Sequence, residues 1–427
     1  MRTSFAITNA RLVDPATEYD GPGGVLVEDG RIAQTGESLD LSGAETVIDA
    51  GGKILAPALI DLRAAKEPAL TSDGETQSSL AAGAAAGGFG TVVLAPNETS
   101  PLDVAGGFAG MVRSLSQHGV RVHSAAAATH RLQGEAMAEI GLMAKAGAVY
   151  VGQGDHTIED SRTLRRVMSY ASQFDLWLAL RPEDAHLSRH AVTTESDWSA
   201  RMGLPAEPAI AERMAVDRYA SIAALSGGKL MIDRLSTRDG LDALRAARQR
   251  DIEVAATAAI AHLSLNEVDA GGLDSAVRML PPLRLEEDRR ALIDAVARGE
   301  IDAIVSDHRP TPFDDKGEPF AMAIAGTMAL ETLLASLLAL VHDDELSLVE
   351  ALRPVTCGPA DLLGLPQGRL QENAPADLVL IDGDKPWVCD PDTFQSPRGN
   401  SAWAGRRFMG RAIQTFVDGQ AIYNYNG

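Results

Sequence analysis

Between residues 55 and 358 the chain alternates short apolar runs with longer stretches of helical periodicity, and few architectures accommodate that cadence. The apolar runs include Gly90–Asn97, Ala148–Val151, Leu176–Leu180, Lys229–Ile232, Ile252–Ala256 and Ile301–Val305. Helical spacing of apolar residues is clear over Ser161–Tyr170 and over Gly240–Arg248. Strand, helix and strand in repeated succession predict a parallel sheet, and this many repeats predict a closed (β/α)8 barrel rather than an open sheet.

The two ends of the chain read differently. Ala6–Asp14 and Gly24–Ile32 are short alternating segments, the second carrying an Asp29-Gly30 hairpin signal. Ala376–Asp382 and Gly410–Tyr423 repeat the pattern near the C-terminus, with a second Asp-Gly pair at Asp418-Gly419. Neither end has enough strands to bury a core alone, so the two are expected to combine. The expected organisation is an α/β chain: residues 1–54 and 359–427 form a small composite β-sandwich, and residues 55–358 form the barrel.

At 427 residues, with 45% hydrophobic and 23% charged residues, the chain is long enough for a barrel with an appendage and has an ordinary globular composition. A formal net charge of −21 disfavours nucleic acid and anionic membrane as partners. Cys357 and Cys389 have no Cys-x-x-Cys spacing and are expected to be ordinary thiols. The first residues lack a signal-peptide pattern, and no run of about 18 apolar residues occurs, so a soluble cytoplasmic protein is expected.

Common catalytic signatures are missing. Leu80–Gly90 is rich in Gly and Ala but lacks the Gly-Lys-Ser/Thr ending of a phosphate loop, so close helix-to-strand packing is expected there. Ser226-Gly227-Gly228 reads as the end of a helix rather than a nucleophile elbow. The nine histidines are scattered without metal-binding spacing. His262 and His308 are expected to be structural, and Asp155-His156 reads as a solvated turn because adjacent strand residues face opposite ways.

Several segments, in order, resemble the dihydroorotase family of the amidohydrolase superfamily. Leu55 through Pro68 resembles the family's Pro-Gly-x-Ile-Asp-x-His-x-His strand and the Leu-Arg-Glu-Pro-Gly that follows it. Ala95-Pro96-Asn97 resembles Met-Pro-Asn, Leu235-Ser236-Thr237 resembles Val-Ser-Thr, and Val305-Ser306-Asp307-His308 matches the segment at strand eight. Ser396 through Gly405 is similar to the family's Ser-x-x-x-Asn-x-Pro-Phe-x-Gly. The resemblance implies a metal-dependent-hydrolase barrel, a zinc-held hydroxide and the opening or closing of a cyclic amide.

The same resemblance shows what has changed. Arg63 and Ala65 stand where the strand-one histidines belong, Arg181 stands at strand five and Arg234 at strand six. Around strand four the chain reads Gly152-Gln153-Gly154-Asp155, and only Asp307 on strand eight keeps a ligand type. A guanidinium is permanently protonated and has no lone pair for zinc, so no metal is expected. The arginines are expected to replace the metal's charge. Asn97 and Lys66 remain where the resemblance places contacts to the substrate carboxylate, although Lys66 supplies charge without a bidentate fork.

The resemblance therefore implies a non-catalytic homologue. Such homologues partner aspartate transcarbamoylase, so its catalytic subunit is the expected partner, within a homo- or hetero-oligomer. The alternative is an active zinc dihydroorotase with atypical ligands, and zinc enters only on that reading.

Overall fold

The computed structural model describes residues 4–65, 75–98, 100–115, 119–311, 316–396 and 399–425. Lys66 lies outside the described residues.

Alternating burial at the two ends of the chain produces one shared sheet. Strands β1 (Ser4–Asp14), β2 (Tyr19–Glu28), β3 (Arg31–Gly36), β4 (Thr46–Asp49) and β5 (Ile54–Pro57) come from the N-terminal side. β5 pairs in parallel with β1 and antiparallel with a strand from the far end, Leu378–Val388, which in turn pairs with Arg407–Val417 and that with Gln420–Asn424. Asp29 and Gly30 have φ of 50° and 79°, and Asp418 and Gly419 have 48° and 71°, so both Asp-Gly pairs make the left-handed turns expected of tight hairpins. The two turns touch: a Cβ on Gly30 would lie 2.8 Å from the Asp418 carbonyl oxygen. Phe5 and Phe416 stack with ring centroids 5.2 Å apart, joining N- and C-terminal segments in one core with Ile7, Val25, Leu55 and Leu378.

The stretch from Leu55 onward, which reads as a single strand, is two. Ile54–Pro57 belongs to the composite sheet, and after Ala58 the chain enters the barrel as β6 (Leu59–Ala64). Parallel neighbours follow as β7 (Phe89–Leu94), β8 (Arg121–Ser124), β9 (Ala126–Ala127), β10 (Val151–Gly152) and β11 (Leu178–Leu180). A short excursion pairs β12 (Thr193–Thr194) with β13 (Ala206–Glu207), and the barrel resumes with β14 (Leu230–Ile232), β15 (Val254–Ala259) and β16 (Ala303–Val305). β8 and β9 are two halves of one barrel strand interrupted at Ala125, and neither was evident from apolar periodicity, because Arg121-Val122-His123-Ser124 is mostly polar. The barrel closes where the Ala65 N–H donates to the His308 carbonyl at 2.8 Å and Ala64 bridges His308 in parallel register.

The barrel interior is a layer of apolar side chains, Ile60, Leu62, Val93, Tyr150, Ala179, Met231, Ala259 and Val305 among them, so it is filled rather than hollow. Helices cover the outside. α1 (Gln77–Ala86) lies so close to the chain at Leu330 that a Cβ on Gly87 would be 2.1 Å from the Leu330 oxygen, which explains the small residues of that stretch. Asp160 caps the helix Ser161–Ala171 by accepting from the Arg162 and Thr163 N–H groups, and its Leu164, Val167 and Met168 face the core. The helix Ala209–Ser226 ends at Gly227 in the left-handed conformation, as its sequence predicts. Among the described residues, no helix is long and apolar enough to cross a membrane.

Candidate functional site

In a barrel of this kind the chemical groups project from the C-terminal ends of the strands. Here those ends carry arginine and aspartate. Arg63 is the penultimate residue of β6, Asp155 follows β10, Arg181 follows β11, Asp233 and Arg234 follow β14, and Asp307 follows β16.

Arg63 reaches three carboxylates with its three nitrogens: Nε to Asp307 at 2.8 Å, Nη1 to Asp233 at 2.8 Å and Nη2 to Asp155 at 2.7 Å. Arg234 meets the same three, Asp155 at 2.7 Å, Asp307 at 3.1 Å and Asp233 at 3.4 Å, and donates to the Leu280 carbonyl at 2.7 Å. The other Asp155 oxygen takes Arg309 at 2.9 Å, and the Asp155 carbonyl accepts from Arg181, which also pairs with Glu183. Four guanidiniums and four carboxylates thus share the barrel mouth, and their formal charges cancel.

Burial opposes the charge on Asp155 and Arg63, and their neighbours outweigh it, whereas burial raises the Glu183 carboxyl despite Arg181. For Asp155, the desolvation penalty is overcome by Arg234, Arg63 and Arg309, which hold its carboxyl well below the usual range. Desolvation would lower the Arg63 pKa, but Asp233, Asp307 and Asp155 raise it. Arg234 and Asp307 have φ of 61° and 48°, a left-handed conformation costly for residues with side chains, and both are held there by tertiary contacts. The Arg234 N–H donates to Thr257 Oγ1 at 2.9 Å.

Buried clamps fix the strand ends that carry this network. Asp61, fully buried, accepts from the Ser306 N–H at 3.0 Å, the Arg63 N–H at 3.1 Å and the Ser306 hydroxyl, tying β6 to the residues after β16. Burial pushes its carboxyl up to about 6. Glu212 accepts from the Ser236 and Thr237 N–H groups and from both hydroxyls, which holds the loop just after Arg234. Arg284 pairs with Glu207 at 2.6 Å beside it.

Of the residues singled out from the sequence, Arg63, Arg181, Arg234 and Asp307 are brought together. Ala65 presents only a methyl and uses its backbone for barrel closure. Asn97 is not part of the network: its Oδ1 accepts the Ser100 N–H at 2.7 Å, and it lines a separate open cavity of about 540 Å³ with Leu94, Leu102, Phe108 and Met111. His262 is buried with Nε2 at 3.2 Å from the Pro281 and Pro282 carbonyls, and His308 is buried with Nε2 at 3.2 Å from Glu75. Asp155 corrects the sequence reading. It is not in a solvated turn but binds three arginine side chains, whereas His156 points away to Glu98 at 3.1 Å. Asp233 and Arg309 were also not singled out, although each lies within two residues of a position that was.

These residues do not fit a zinc site. Histidine positions hold guanidiniums, which cannot ligate, and the three converging carboxylates are already engaged by Arg63 and Arg234. Among the described residues, no group of three or more His, Cys, Asp or Glu side chains is arranged to hold a metal ion.

Comparison with known proteins agrees with this architecture. The barrel with its composite β domain is the amidohydrolase fold: the chain is similar to the L-hydantoinase (dihydropyrimidinase) from Arthrobacter aurescens, with a TM-score of 0.89, 23% identity and coverage of 99% of this chain and 96% of that one. It is also similar to a D-hydantoinase, with a TM-score of 0.85, 20% identity and coverage of 99% and 95%. At such identities these likenesses speak for the fold alone. A family model described as "Amidohydrolase family" matches residues 241–422. Among curated proteins, the chain is 36% identical over 419 residues to a protein named dihydroorotase from Syntrophotalea carbinolica, covering 98% of each. It is 33% identical over 422 residues to one of the same name from Anaeromyxobacter dehalogenans, covering 98% of this chain and 97% of that one. The chain belongs to the dihydroorotase family.

Proposed function

We propose that this chain is a non-catalytic member of its family that serves as a structural or regulatory partner of the aspartate transcarbamoylase catalytic subunit. One observation carries the non-catalytic part: Arg63 and Arg234 lie between Asp155, Asp233 and Asp307, where a hydrolytic metal would need open coordination. A nucleophilic hydroxide at neutral pH requires a cation that can bind water, and a guanidinium cannot supply one. The carboxylate of Asp307 is held by two arginines and is not available as a proton shuttle. The partner role rests on the resemblance to inactive homologues with that role, within a homo- or hetero-oligomer.

The second reading is an active dihydroorotase, and the names of the curated relatives favour it. Turnover of dihydroorotate and of N-carbamoyl-L-aspartate in zinc-supplemented buffer separates the two. Zinc-dependent turnover at ordinary enzyme rates establishes the second reading. Turnover no greater than the buffer blank, with co-elution of the chain and the transcarbamoylase on size exclusion, supports the first.

A further inference from the structure

The cavity of about 540 Å³ lies at the C-terminal end of β7, between the residues that follow that strand and the helix Ala105–Leu115. No member of the arginine–aspartate network lines it. Its wall is mostly apolar, with Leu94, Pro101, Leu102, Phe108 and Met111. Leu102 and Phe108 are buried in one cluster with Ala126, Ala127, Leu132 and Met143, which anchors that wall to the third barrel strand.

The helix contributes room rather than side chains. Gly107 and Gly110 both line the cavity, and both are exposed. A Cβ on Gly110 would meet no atom within 4 Å, and one on Gly107 would meet only Val104 Cγ2 at 3.8 Å. Neither glycine has a positive φ, so neither a turn nor a close approach requires it. Glycine weakens a helix relative to alanine, and here it leaves the face toward the cavity clear.

Polar groups in the lining are few. They are Gln77, Asn97, Ser100 and Asp103, and among the described residues Asp103 is the only charged one. Its carboxylate lies 2.6 Å from His130 Nδ1 and accepts the Arg131 N–H at 2.9 Å. An entering anion would therefore meet a carboxylate and no lining cation. Cavities of this size, mostly apolar with a few polar groups to fix orientation, suit small organic ligands.

We propose that this cavity is a binding site for a small uncharged ring compound bearing one hydroxyl or amide group. A cavity of about 150 Å³ already accepts benzene, so this one has room for a two-ring body. The charge of its lining separates that ligand class from dihydroorotate and N-carbamoyl-L-aspartate, which both carry carboxylates. The site does not depend on whether the barrel hydrolyses anything, so its failure leaves the proposed function untouched.

The test is a fluorescence titration of the full chain with naphthol, a neutral two-ring probe, and with naphthoate, which has the same rings and a carboxylate. Saturable binding of naphthol is expected, with naphthoate weaker by about tenfold or more. Gly110→Leu and Gly107→Leu each place a side chain in the cavity and should weaken naphthol by about tenfold or more. Gly106→Leu is the control: it lies on the same helix, outside the lining, with nothing within 4 Å of its Cβ, and should bind as the parent does. All three put a better helix former into open space, so all three are expected to fold. Naphthol uptake that does not saturate, naphthoate as tight as naphthol, parental affinity in both lining variants, or an equal loss in G106L overturns the proposal.

Discussion

Arg63 and Asp307 meet through Nε and Oδ1 at 2.8 Å, across 244 residues of sequence, at the point where the first and last strands of the barrel close. The contact puts a permanent cation between carboxylates from separate strands. A metal would do the same work of neutralisation, but it would also bring an exchangeable ligand. The guanidinium brings none.

Breaking this network from one side should be expensive. Arg63→Met leaves Asp233 and Asp155 short of a partner in a buried setting, and a loss of about 3–5 kcal/mol is expected by urea unfolding. Adding Asp307→Asn to that variant should return part of the loss, because one uncompensated charge is removed. Equal, additive losses from the two changes would mean that the residues are not coupled.

Metal should not matter to the fold. Dialysis against a strong chelator is expected to leave Tm unchanged, and elemental analysis of protein prepared with added zinc should find far less than one ion per chain. A chelator-induced fall in Tm would show that a metal is held despite the arginines.

Glu212→Gln should disturb the network at a distance. Glu212 is fully buried and accepts from four donors on Ser236 and Thr237, and an amide can accept on only one side. A loss on the order of 3 kcal/mol is expected, and hydrogen exchange should rise over residues 233–237. Protection unchanged in that segment would separate Glu212 from the positioning of Arg234.

His262 gives a pH dependence with a definite sign. Burial, with Arg284 adding to it, lowers its pKa to about 4, from an ordinary value near 6.5. Between those values the unfolded chain binds a proton that the folded chain refuses, so stability falls as pH drops from about 6.5 to 4. Relative to the parent, His262→Gln should become progressively more stable across that window, by up to about 3 kcal/mol. A constant difference between the two proteins from pH 7 to 4 would assign the acid sensitivity to other groups.

Arg63, Arg181 and Arg234 were legible along the chain, because each is an individual identity at a position the family pattern marks, and they do meet at the barrel mouth. The barrel was legible too, since apolar runs at a regular cadence have few ways to bury themselves. The third barrel strand was hidden, because Arg121 is spent outward on Asp377 and Asp418 of the composite sheet and leaves no apolar pattern. Asp155 was misread for a related reason. A turn residue has no periodicity, and only its neighbours in space decide whether a carboxylate is solvated or captured.

The sequence by itself determined the strand and helix rhythm, the two Asp-Gly hairpins and the identities of Arg63, Arg181 and Arg234 at the strand ends. Each depends on local backbone preference or on the chemistry of a single side chain. Tertiary structure decided that Asp155, Asp233 and Arg309 complete a neutral cluster with those arginines. Charge balance is a property of distances between strand ends far apart in the chain, and the barrel sets those distances only when it closes.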